Sequence, residues 1–303
     1  MKDVIIVGSG PAGLTAAIYA KRAGLDMLVI EKNYASGGQV LTTYEVDNYP
    51  ALPGINGFDL GMQMREHADK LGAEFLEAEV ISVKSEGAVK QVVTDNGTYE
   101  AASVILAMGA SHARLGAPGE EEMTGMGVSY CATCDGAFFK NKDVAVIGGG
   151  DVAVEDAIFL ARTSRKVWLV HRRDELRAAK SLQQKLFELE NVEVVWDSVV
   201  EQIEGSDQVE GIRVQNVKDG TKQEIAVQGI FVAVGILPNS GSICEEALKD
   251  EKGYFEAGED CATSVPGIFA AGDIRTKALR QIVTAVADGA NAVTGVQNYL
   301  LTR

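Results

Sequence analysis

Residues 3–32 read DVIIVGSGPAGLTAAIYAKRAGLDMLVIEK, and this stretch decides the fold class. The apolar run at residues 4–7 predicts a buried strand, the glycines after it predict a tight turn, and the next apolar residues recur at helical spacing. A second apolar strand then ends on Glu31. Strand, glycine turn, helix and strand together predict a βαβ unit of the kind that binds dinucleotides.

Residues 143–172, DVAVIGGGDVAVEDAIFLARTSRKVWLVHR, repeat this pattern. In each copy 23 residues separate the first glycine from the end of the second strand, so that Gly8 leads to Glu31 and Gly148 leads to His171. Each copy also has a later apolar strand that closes on a glycine, Gly109 in the first and Gly235 in the second. A repeat this long indicates two nucleotide-binding domains rather than a solenoid.

The composition agrees with a protein of about two domains. The chain has 303 residues, of which 46% are apolar and 23% are charged, as is usual for globular proteins. The net charge of −15 argues against nucleic acid or an anionic membrane as partner, because both require a basic surface. No segment reaches the roughly 18 apolar residues of a membrane span, and the start lacks the apolar core of a signal peptide. We therefore expect a cytoplasmic protein.

The two units are expected to be interleaved. Residues after Gly235 contain no third unit, yet the segments SVPGIFAAGDI and ALRQIVTAVADGANAVTGVQNYLL still need a core to join. Glycine, proline, serine and asparagine replace periodic apolar sequence near residues 111–120 and 237–242, which predicts linkers there. We expect an α/β fold of two Rossmann-like domains. The first is formed by residues 1–112 and 242–303, and the second, residues 113–241, is inserted in it.

The first glycine motif predicts an adenine dinucleotide site. Gly8 permits the tight turn, Gly10 lets backbone amides approach a pyrophosphate, and Gly13 lets the helix pack on the strand. Glu31 is placed to accept hydrogen bonds from ribose hydroxyls and would repel a 2′-phosphate. The ligand is therefore NAD or FAD, and the residues alone do not separate the two.

The second unit carries cations where the first has an acid. The stretch HRRDELR contains His171, Arg172, Arg173 and Arg177, and guanidinium groups bind phosphate by paired, charge-assisted hydrogen bonds. Ala153 stands in place of the third glycine and is still small enough for close packing. We expect this unit to prefer NADPH over NADH.

Residues 130–139, YCATCDGAFF, contain a pair of cysteines. A tetrahedral zinc site needs four ligands, and Cys244 and Cys261 do not form a second C-x-x-C motif, so we predict no metal site and assign those two thiols no role. A redox dithiol needs only Cys131, Cys134 and a nearby proton carrier, which Asp135 could provide. The spacing therefore favours redox chemistry.

These features together resemble the low-molecular-weight, bacterial-type thioredoxin reductase family, over essentially the whole chain. The motifs that carry the resemblance are GSGPAG (8–13), GGQV (37–40), CATCDG (131–136), GGGDVAVE (148–155), HRRDELRA (171–178), GIFAAGDI (267–274) and RQI (280–282).

With the motifs, the resemblance implies a full set of cofactor-binding residues. The residues expected to bind FAD are Gly8, Gly10, Pro11, Ala12, Gly13, Glu31, Gly37, Gly38, Gln39, Asn48, Gly109, Gly272, Asp273, Arg280, Gln281 and Ile282. The residues expected to bind NADPH are Gly148, Gly150, Asp151, His171, Arg172, Arg173 and Arg177.

The resemblance also implies the reaction. NADPH would reduce FAD, FAD would reduce the disulfide, and the dithiol would reduce oxidised thioredoxin by thiol–disulfide exchange. Cys134 would interact with the flavin, Cys131 would attack thioredoxin, and Asp135 would act as general acid and base. Because the nicotinamide and the disulfide belong to one domain, we expect domain rotation between half-reactions. Members of this family are homodimers, and we expect this chain to form a homodimer as well.

Three residues depart from the family pattern. Met108 replaces a threonine near the flavin, and Ala137 and Lys140 replace an aromatic residue and an arginine in the segment that docks thioredoxin. A different partner is therefore an alternative: another thioredoxin-like or glutaredoxin-like protein, as in alkyl hydroperoxide reductase systems. Those flavoproteins carry an additional N-terminal region, whereas the flavin motif here starts at residue 8. The arginine cluster argues against a ferredoxin-dependent reductase, and the intact dithiol argues against a flavin-binding sensor without turnover.

Overall fold

The computed structural model describes residues 1–43, 46 and 48–302. Its helices are α1 (Pro11–Arg22), α2 (Gly57–Lys70), α3 (Ala132–Asp135), α4 (Asp151–Ala161), α5 (Lys180–Phe187) and α6 (Ile282–Leu301), with 3₁₀ helices at Gly38–Thr42 and Gly136–Phe139. Its strands are β1 (Lys2–Val7), β2 (Met27–Glu31), β3 (Phe75–Glu77), β4 (Val80–Glu86), β5 (Val89–Thr94), β6 (Gly97–Leu106), β7 (Ala110–His112), β8 (Val128–Ser129), β9 (Asp143–Ile147), β10 (Lys166–Val170), β11 (Val192–Val195), β12 (Ser198–Gly205), β13 (Val209–Asn216), β14 (Lys222–Ala226), β15 (Gly229–Val232), β16 (Ile236–Pro238) and β17 (Ile268–Ala270).

The chain divides into two compact units, of which the first is discontinuous. Unit 1 comprises Met1–Ser111 and Leu237–Arg303, and unit 2 comprises His112–Ile236. Unit 2 is thus an insertion, as the sequence predicts. The inserted unit ends at Ile236. Beyond it, Asn239 bonds within unit 1: its backbone N–H donates to Gly109 O at 3.0 Å and its side chain donates to Met108 O at 2.9 Å.

Unit 1 is built on a sheet in the order β3-β2-β1-β6-β5-β4, and β17 also pairs with β6. The pairs β3-β2, β2-β1, β1-β6 and β6-β17 are parallel, whereas β4, β5 and β6 are antiparallel. Alternate residues of β1 enter different cores, Val4 and Ile6 on one face and Ile5 and Val7 on the other. A strand buried on both faces explains the continuous apolar run.

Unit 2 repeats the parallel arrangement. Its main sheet has the order β11-β10-β9-β15-β8 with parallel pairing throughout, and β12, β13 and β14 form a separate antiparallel sheet. The strands β9 and β10 occupy the places that β1 and β2 have in unit 1. The internal repeat seen in the sequence is therefore a repeat of topology.

Helix α6 returns the end of the chain to unit 1, where it packs against α1. A methyl group on Gly289 would lie 2.3 Å from Ala12 O, and Ala16 and Ala292 are fully buried in the same core. Small residues let the two helices approach closely. Within the described residues, no helix is long and apolar enough to cross a bilayer.

Candidate functional site: two nucleotide loops and a dithiol

In the glycine loop between β1 and α1, two glycines leave no room for a side chain and a third does. A Cβ on Gly13 would lie 1.9 Å from Gly8 O, and one on Gly8 would lie 2.6 Å from Ala107 O. At Gly10 the nearest atoms described are 4.0 Å away. Pro11 occupies the first turn of α1, where its missing N–H costs nothing. The loop therefore leaves space beside Gly10 at a helix N-terminus, as a pyrophosphate requires.

Glu31 stands at the end of β2, next to this loop. Its Oε2 accepts hydrogen bonds from the backbone N–H and the hydroxyl of Ser9, both at 2.8 Å, and its Oε1 accepts from Asn33 N at 2.9 Å. Ser9 is fully buried. Ser9 was not among the residues predicted from the sequence, although its place inside the glycine motif could have suggested a link to the acid.

The Gly37–Gly38 segment, also expected to bind FAD, lies against the same loop. Gly37 N donates to Ser9 O at 2.8 Å, and a Cβ on Gly38 would lie 3.2 Å from the Cα of Gly10. Gln39 is exposed. Asn48 donates to Gln281 Oε1 at 3.0 Å although 233 residues separate them.

Gln281 caps α6, and the next residue, Ile282, packs beside a small core of Val40, Val46 and Leu60. Gly109 follows β6, and a Cβ on Gly8 would lie 3.2 Å from the Cα of its neighbour Met108.

Gly272 and Asp273 approach this region from the other half of unit 1. A Cβ on Gly272 would lie 2.9 Å from the Cβ of Ala12. Asp273 Oδ1 is buried without a hydrogen-bond partner among the described residues, and burial raises the pKa of this carboxyl. An unmatched buried acceptor suits a hydroxyl of a bound ligand. Arg280 stacks on Tyr254, with its guanidinium carbon 4.0 Å from the ring centre.

A buried ion cluster, which was not predicted from the sequence, supports this segment. Asp288 of α6 accepts from Arg275 Nε at 2.9 Å and Nη2 at 2.7 Å, from Lys277 Nζ at 2.8 Å, and from Gly272 N at 2.9 Å. Burial acts to raise the pKa of Asp288, but the bonds from Arg275 and Lys277 outweigh it and lower the pKa. One carboxylate thus fixes the chain on both sides of Asp273.

The second glycine loop has the same form. A Cβ on Gly148 would lie 2.5 Å from Ala233 O and 2.7 Å from the methyl of Ala153, while no described atom lies within 4 Å of one built on Gly150. Asp151 begins α4 and is exposed. Unit 2 therefore also offers an open helix N-terminus beside its central strand.

The basic segment after β10 divides into exposed and buried members. Arg172, Arg173 and Arg177 are exposed. His171 is buried with its ring against Gly149, where an added Cβ would meet ring atoms at 2.2 Å, and its Nε2 lies 3.1 Å from Glu175 O. Burial is the largest of the effects that lower the pKa of His171, which favours the uncharged ring. Three arginines are thus available to a phosphate, and the histidine packs against the glycine loop at Gly149.

The dithiol lies at the start of α3. Cys131 precedes the helix and Cys134 lies within it, and the two form a disulfide with their Cα atoms 5.3 Å apart. Ala132 is buried in the core of unit 2, and a Cβ on Gly136 would lie 3.0 Å from Leu160 of α4. The short helix is therefore held by packing, while both sulfur-bearing residues are half-buried.

Asp135 is joined to this motif by Ser129, a residue that was not predicted from the sequence. Ser129 Oγ donates to Asp135 Oδ2 at 2.6 Å and accepts from Cys131 N at 3.0 Å. Asp135 Oδ1 is buried and has no hydrogen-bond partner in the described part of the chain. Burial raises the pKa of Asp135, and the bond from Ser129 partly opposes this. A carboxyl with a raised pKa is suited to carrying protons.

The remaining residues of interest lie as follows. After the dithiol, Ala137 and Lys140 are exposed while Phe139 is buried against Phe231. The free thiols are buried, and burial raises the pKa of Cys244, and that of Cys261 to about 12. Across the described ranges, no group of three or more His, Cys, Asp or Glu side chains could hold a metal ion.

Comparison with known proteins identifies the family. A model of the pyridine nucleotide-disulphide oxidoreductases matches residues 2–289. A thioredoxin reductase of Listeria monocytogenes is 46% identical over 299 residues, covering 98% of this chain and 93% of that protein. One from Bacillus subtilis is 45% identical and covers 98% and 94%. The crystal structure of thioredoxin reductase from Streptococcus pyogenes superposes with a TM-score of 0.93 at 46% identity, covering 100% of this chain and 99% of that one.

The chain belongs to the pyridine nucleotide-disulphide oxidoreductase family. Over almost its whole length it is similar to the thioredoxin reductases of that family. The predicted fold class, the resemblance and the enzyme class, a flavoprotein oxidoreductase that uses FAD and NADPH, are confirmed.

Proposed function

We propose that this protein is an NADPH-dependent thioredoxin reductase. The observation that carries the proposal is the Cys131–Cys134 disulfide with the buried carboxyl of Asp135 beside it, in the same unit as the glycine loop and the three exposed arginines. The relatives called thioredoxin reductase support the substrate.

FAD fits unit 1 and NADPH fits unit 2. In unit 1 the open space at Gly10 suits a pyrophosphate and the unmatched Oδ1 of Asp273 suits a hydroxyl donor. In unit 2 the open space at Gly150 suits a pyrophosphate, and Arg172, Arg173 and Arg177 suit a 2′-phosphate. Bound FAD supplies the two-electron chemistry that connects NADPH with the disulfide.

The dithiol then performs thiol–disulfide exchange. The Cys131 thiolate attacks the disulfide of thioredoxin, which forms a mixed disulfide and releases the first thiol of the partner. Cys134 attacks Cys131, which re-forms the enzyme disulfide and releases the second. Asp135 gives and takes the protons that these steps require, and Ser129 holds its Oδ2. The assignment of Cys131 to thioredoxin and Cys134 to the flavin follows the family resemblance.

The exposed residues after the dithiol form the proposed docking segment for thioredoxin. Ala137 and Lys140 are exposed and differ from the family pattern, so another thioredoxin-like or glutaredoxin-like protein is the alternative partner. We also propose a homodimer in the cytoplasm that binds neither nucleic acid nor membrane, in line with the net charge of −15. Rotation of the inserted unit between half-reactions stays a prediction.

An NADPH-driven disulfide assay tests this function. The purified protein is mixed with NADPH and, in separate reactions, with thioredoxins and glutaredoxin-like proteins of the same cell, and partner thiols are counted. We expect rapid reduction of a thioredoxin. Turnover with a glutaredoxin-like protein alone would support the alternative, and failure with all of them would refute the proposal.

A further inference from the structure

Gln183 binds the backbone on both sides of Arg177. Gln183 lies in α5, and its side-chain Nε2 donates to Ala178 O at 2.7 Å and to Leu176 O at 3.2 Å. These two carbonyls flank Arg177, whose side chain is exposed. One amide group therefore ties down the residues immediately before and after a candidate phosphate ligand.

Arg177 is held from a third side by the glycine loop. Its backbone N–H donates to Gly149 O at 2.7 Å. Leu176 and Ala178 are 6% and 5% exposed, so their side chains are anchored in the core of unit 2. The backbone at Arg177 is thus fixed at three adjacent residues, while only the guanidinium side chain faces solvent.

The bonds made by Gln183 matter because this segment has no regular structure. Residues 171–179 belong to neither a helix nor a strand, so no ladder of backbone hydrogen bonds holds them. Its other ties include the bond from Asp197 N to Arg173 O at 3.2 Å, the bond from Ala179 N to Asp151 Oδ1 at 2.7 Å and the contact of His171 with Gly149. A ligand-binding loop that is ordered in advance loses less entropy on binding.

We propose that Gln183 is a positioning residue that fixes Arg177 for the 2′-phosphate of NADPH and so contributes to the preference for NADPH over NADH. This inference rests on the proposed NADPH site of unit 2. In this proposal Gln183 acts through its bonds to the backbone and not through a contact with the cofactor. Its effect reaches the ligand through the placement of Arg177, so it should be felt at the 2′-phosphate and not at the rest of the nucleotide.

The test compares two neighbouring glutamines. Gln183→Met removes the donor at similar size, and Gln184→Met makes the same change at an exposed position of the same helix. Binding of 2′,5′-ADP and of 5′-AMP to the FAD-loaded proteins is measured by calorimetry. We expect Gln183→Met to lower the affinity for 2′,5′-ADP about tenfold, which corresponds to the loss of one or two hydrogen bonds. Its affinity for 5′-AMP should stay within about twofold, and Gln184→Met should match the wild type.

Steady-state kinetics give a second readout. In Gln183→Met the KM for NADPH should also rise about tenfold, while kcat and the KM for NADH should stay unchanged. A general loosening of unit 2 would instead affect both nucleotides and lower the thermal midpoint. Equal losses of 2′,5′-ADP and 5′-AMP would therefore overturn the inference.

Arg177→Ala separates this inference from the site on which it rests. If Arg177→Ala selectively lowers the affinity for 2′,5′-ADP but Gln183→Met does not, the positioning role of Gln183 is refuted, whereas the proposed NADPH site is supported. If Arg177→Ala leaves 2′,5′-ADP binding unchanged, the assignment of the phosphate site itself fails, and the role of Gln183 fails with it.

Discussion

The hydroxyl of Ser129 donates a hydrogen bond of 2.6 Å to Asp135 Oδ2 while accepting one from the backbone N–H of Cys131. One buried side chain therefore connects the proposed acid to the proposed nucleophile. Because the other carboxyl oxygen of Asp135 has no partner among the described residues, the bond from Ser129 fixes the position of this carboxyl group.

Replacing Ser129 with alanine should slow thioredoxin reduction about tenfold and leave flavin reduction by NADPH unchanged. The bond from Ser129 lowers the pKa of Asp135 against the larger effect of burial, so its loss should raise that pKa further. The acid limb of the pH profile for kcat should then move to higher pH, because Asp135 is protonated earlier as the pH falls. Ser129→Thr keeps the hydroxyl and should behave like the wild type. An unshifted profile in Ser129→Ala would contradict this role.

Replacing Cys131 or Cys134 with serine should abolish thioredoxin reduction, because each thiol is needed to make and resolve the mixed disulfide. FAD should remain bound and reducible by NADPH, which absorbance at the flavin band records. Cys244→Ala is the control, since that thiol is buried and outside the disulfide. Thioredoxin turnover in both serine variants would rule out the dithiol relay.

The glycines of the first loop should separate folding from binding. Gly13→Ala would place a methyl group 1.9 Å from Gly8 O and should destabilise unit 1 by about 3 kcal/mol or more. Gly10→Ala meets its nearest described atoms at 4.0 Å and has a φ of −72°, so the fold should survive while FAD affinity falls at least tenfold. Thermal unfolding and flavin content check both. Full flavin content in Gly10→Ala would show that the pyrophosphate lies elsewhere.

Asp288→Asn should destabilise the protein by about 3–5 kcal/mol, because Arg275 and Lys277 would lose their buried counter-ion. The pKa of Asp288 is lowered on folding. The stability it contributes is therefore present above its unfolded pKa and lost as the pH falls through the folded value. Denaturant unfolding as a function of pH should show this acid dependence weakened in the variant. Asp260→Asn, at an exposed carboxylate that accepts from Ala262 N, should change little; equal effects would contradict the cluster's importance.

Replacing Arg172 and Arg173 together with alanine should raise the KM for NADPH about tenfold or more, and that for NADH far less, because only NADPH carries the 2′-phosphate. Lys185→Ala removes an exposed cation from α5 of the same unit and controls for net charge. Parallel increases for both nucleotides would count against a phosphate site here.

Local sequence was enough to predict the repeated unit and its glycine loops. A strand buried on both faces must be continuously apolar, and a strand-to-helix turn packed as tightly as Gly13 on Gly8 excludes a side chain. These constraints act within about 30 residues, so they leave a readable pattern in β1, β2, β9 and β10. The insertion could also be predicted, because residues 242–303 needed a core to join.

The residues that hold the site in place could not be predicted. Ser129, Gln183 and Asp288 carry no motif of their own, and each acts by a hydrogen bond to a group that the fold brings near. The lowered pKa of His171 is of the same kind: burial is its largest cause and the neighbouring arginines add to it, and only the fold buries this ring against Gly149.

By itself the sequence determined which chemical groups this protein has: two glycine loops, an acid in one unit where the other has arginines, and a cysteine pair followed by an aspartate. Only the tertiary structure decided how those groups are oriented and charged. A hydrogen bond requires two atoms within about 3 Å, and pairs such as Asn48 with Gln281, 233 residues apart, reach that distance only after the chain has folded.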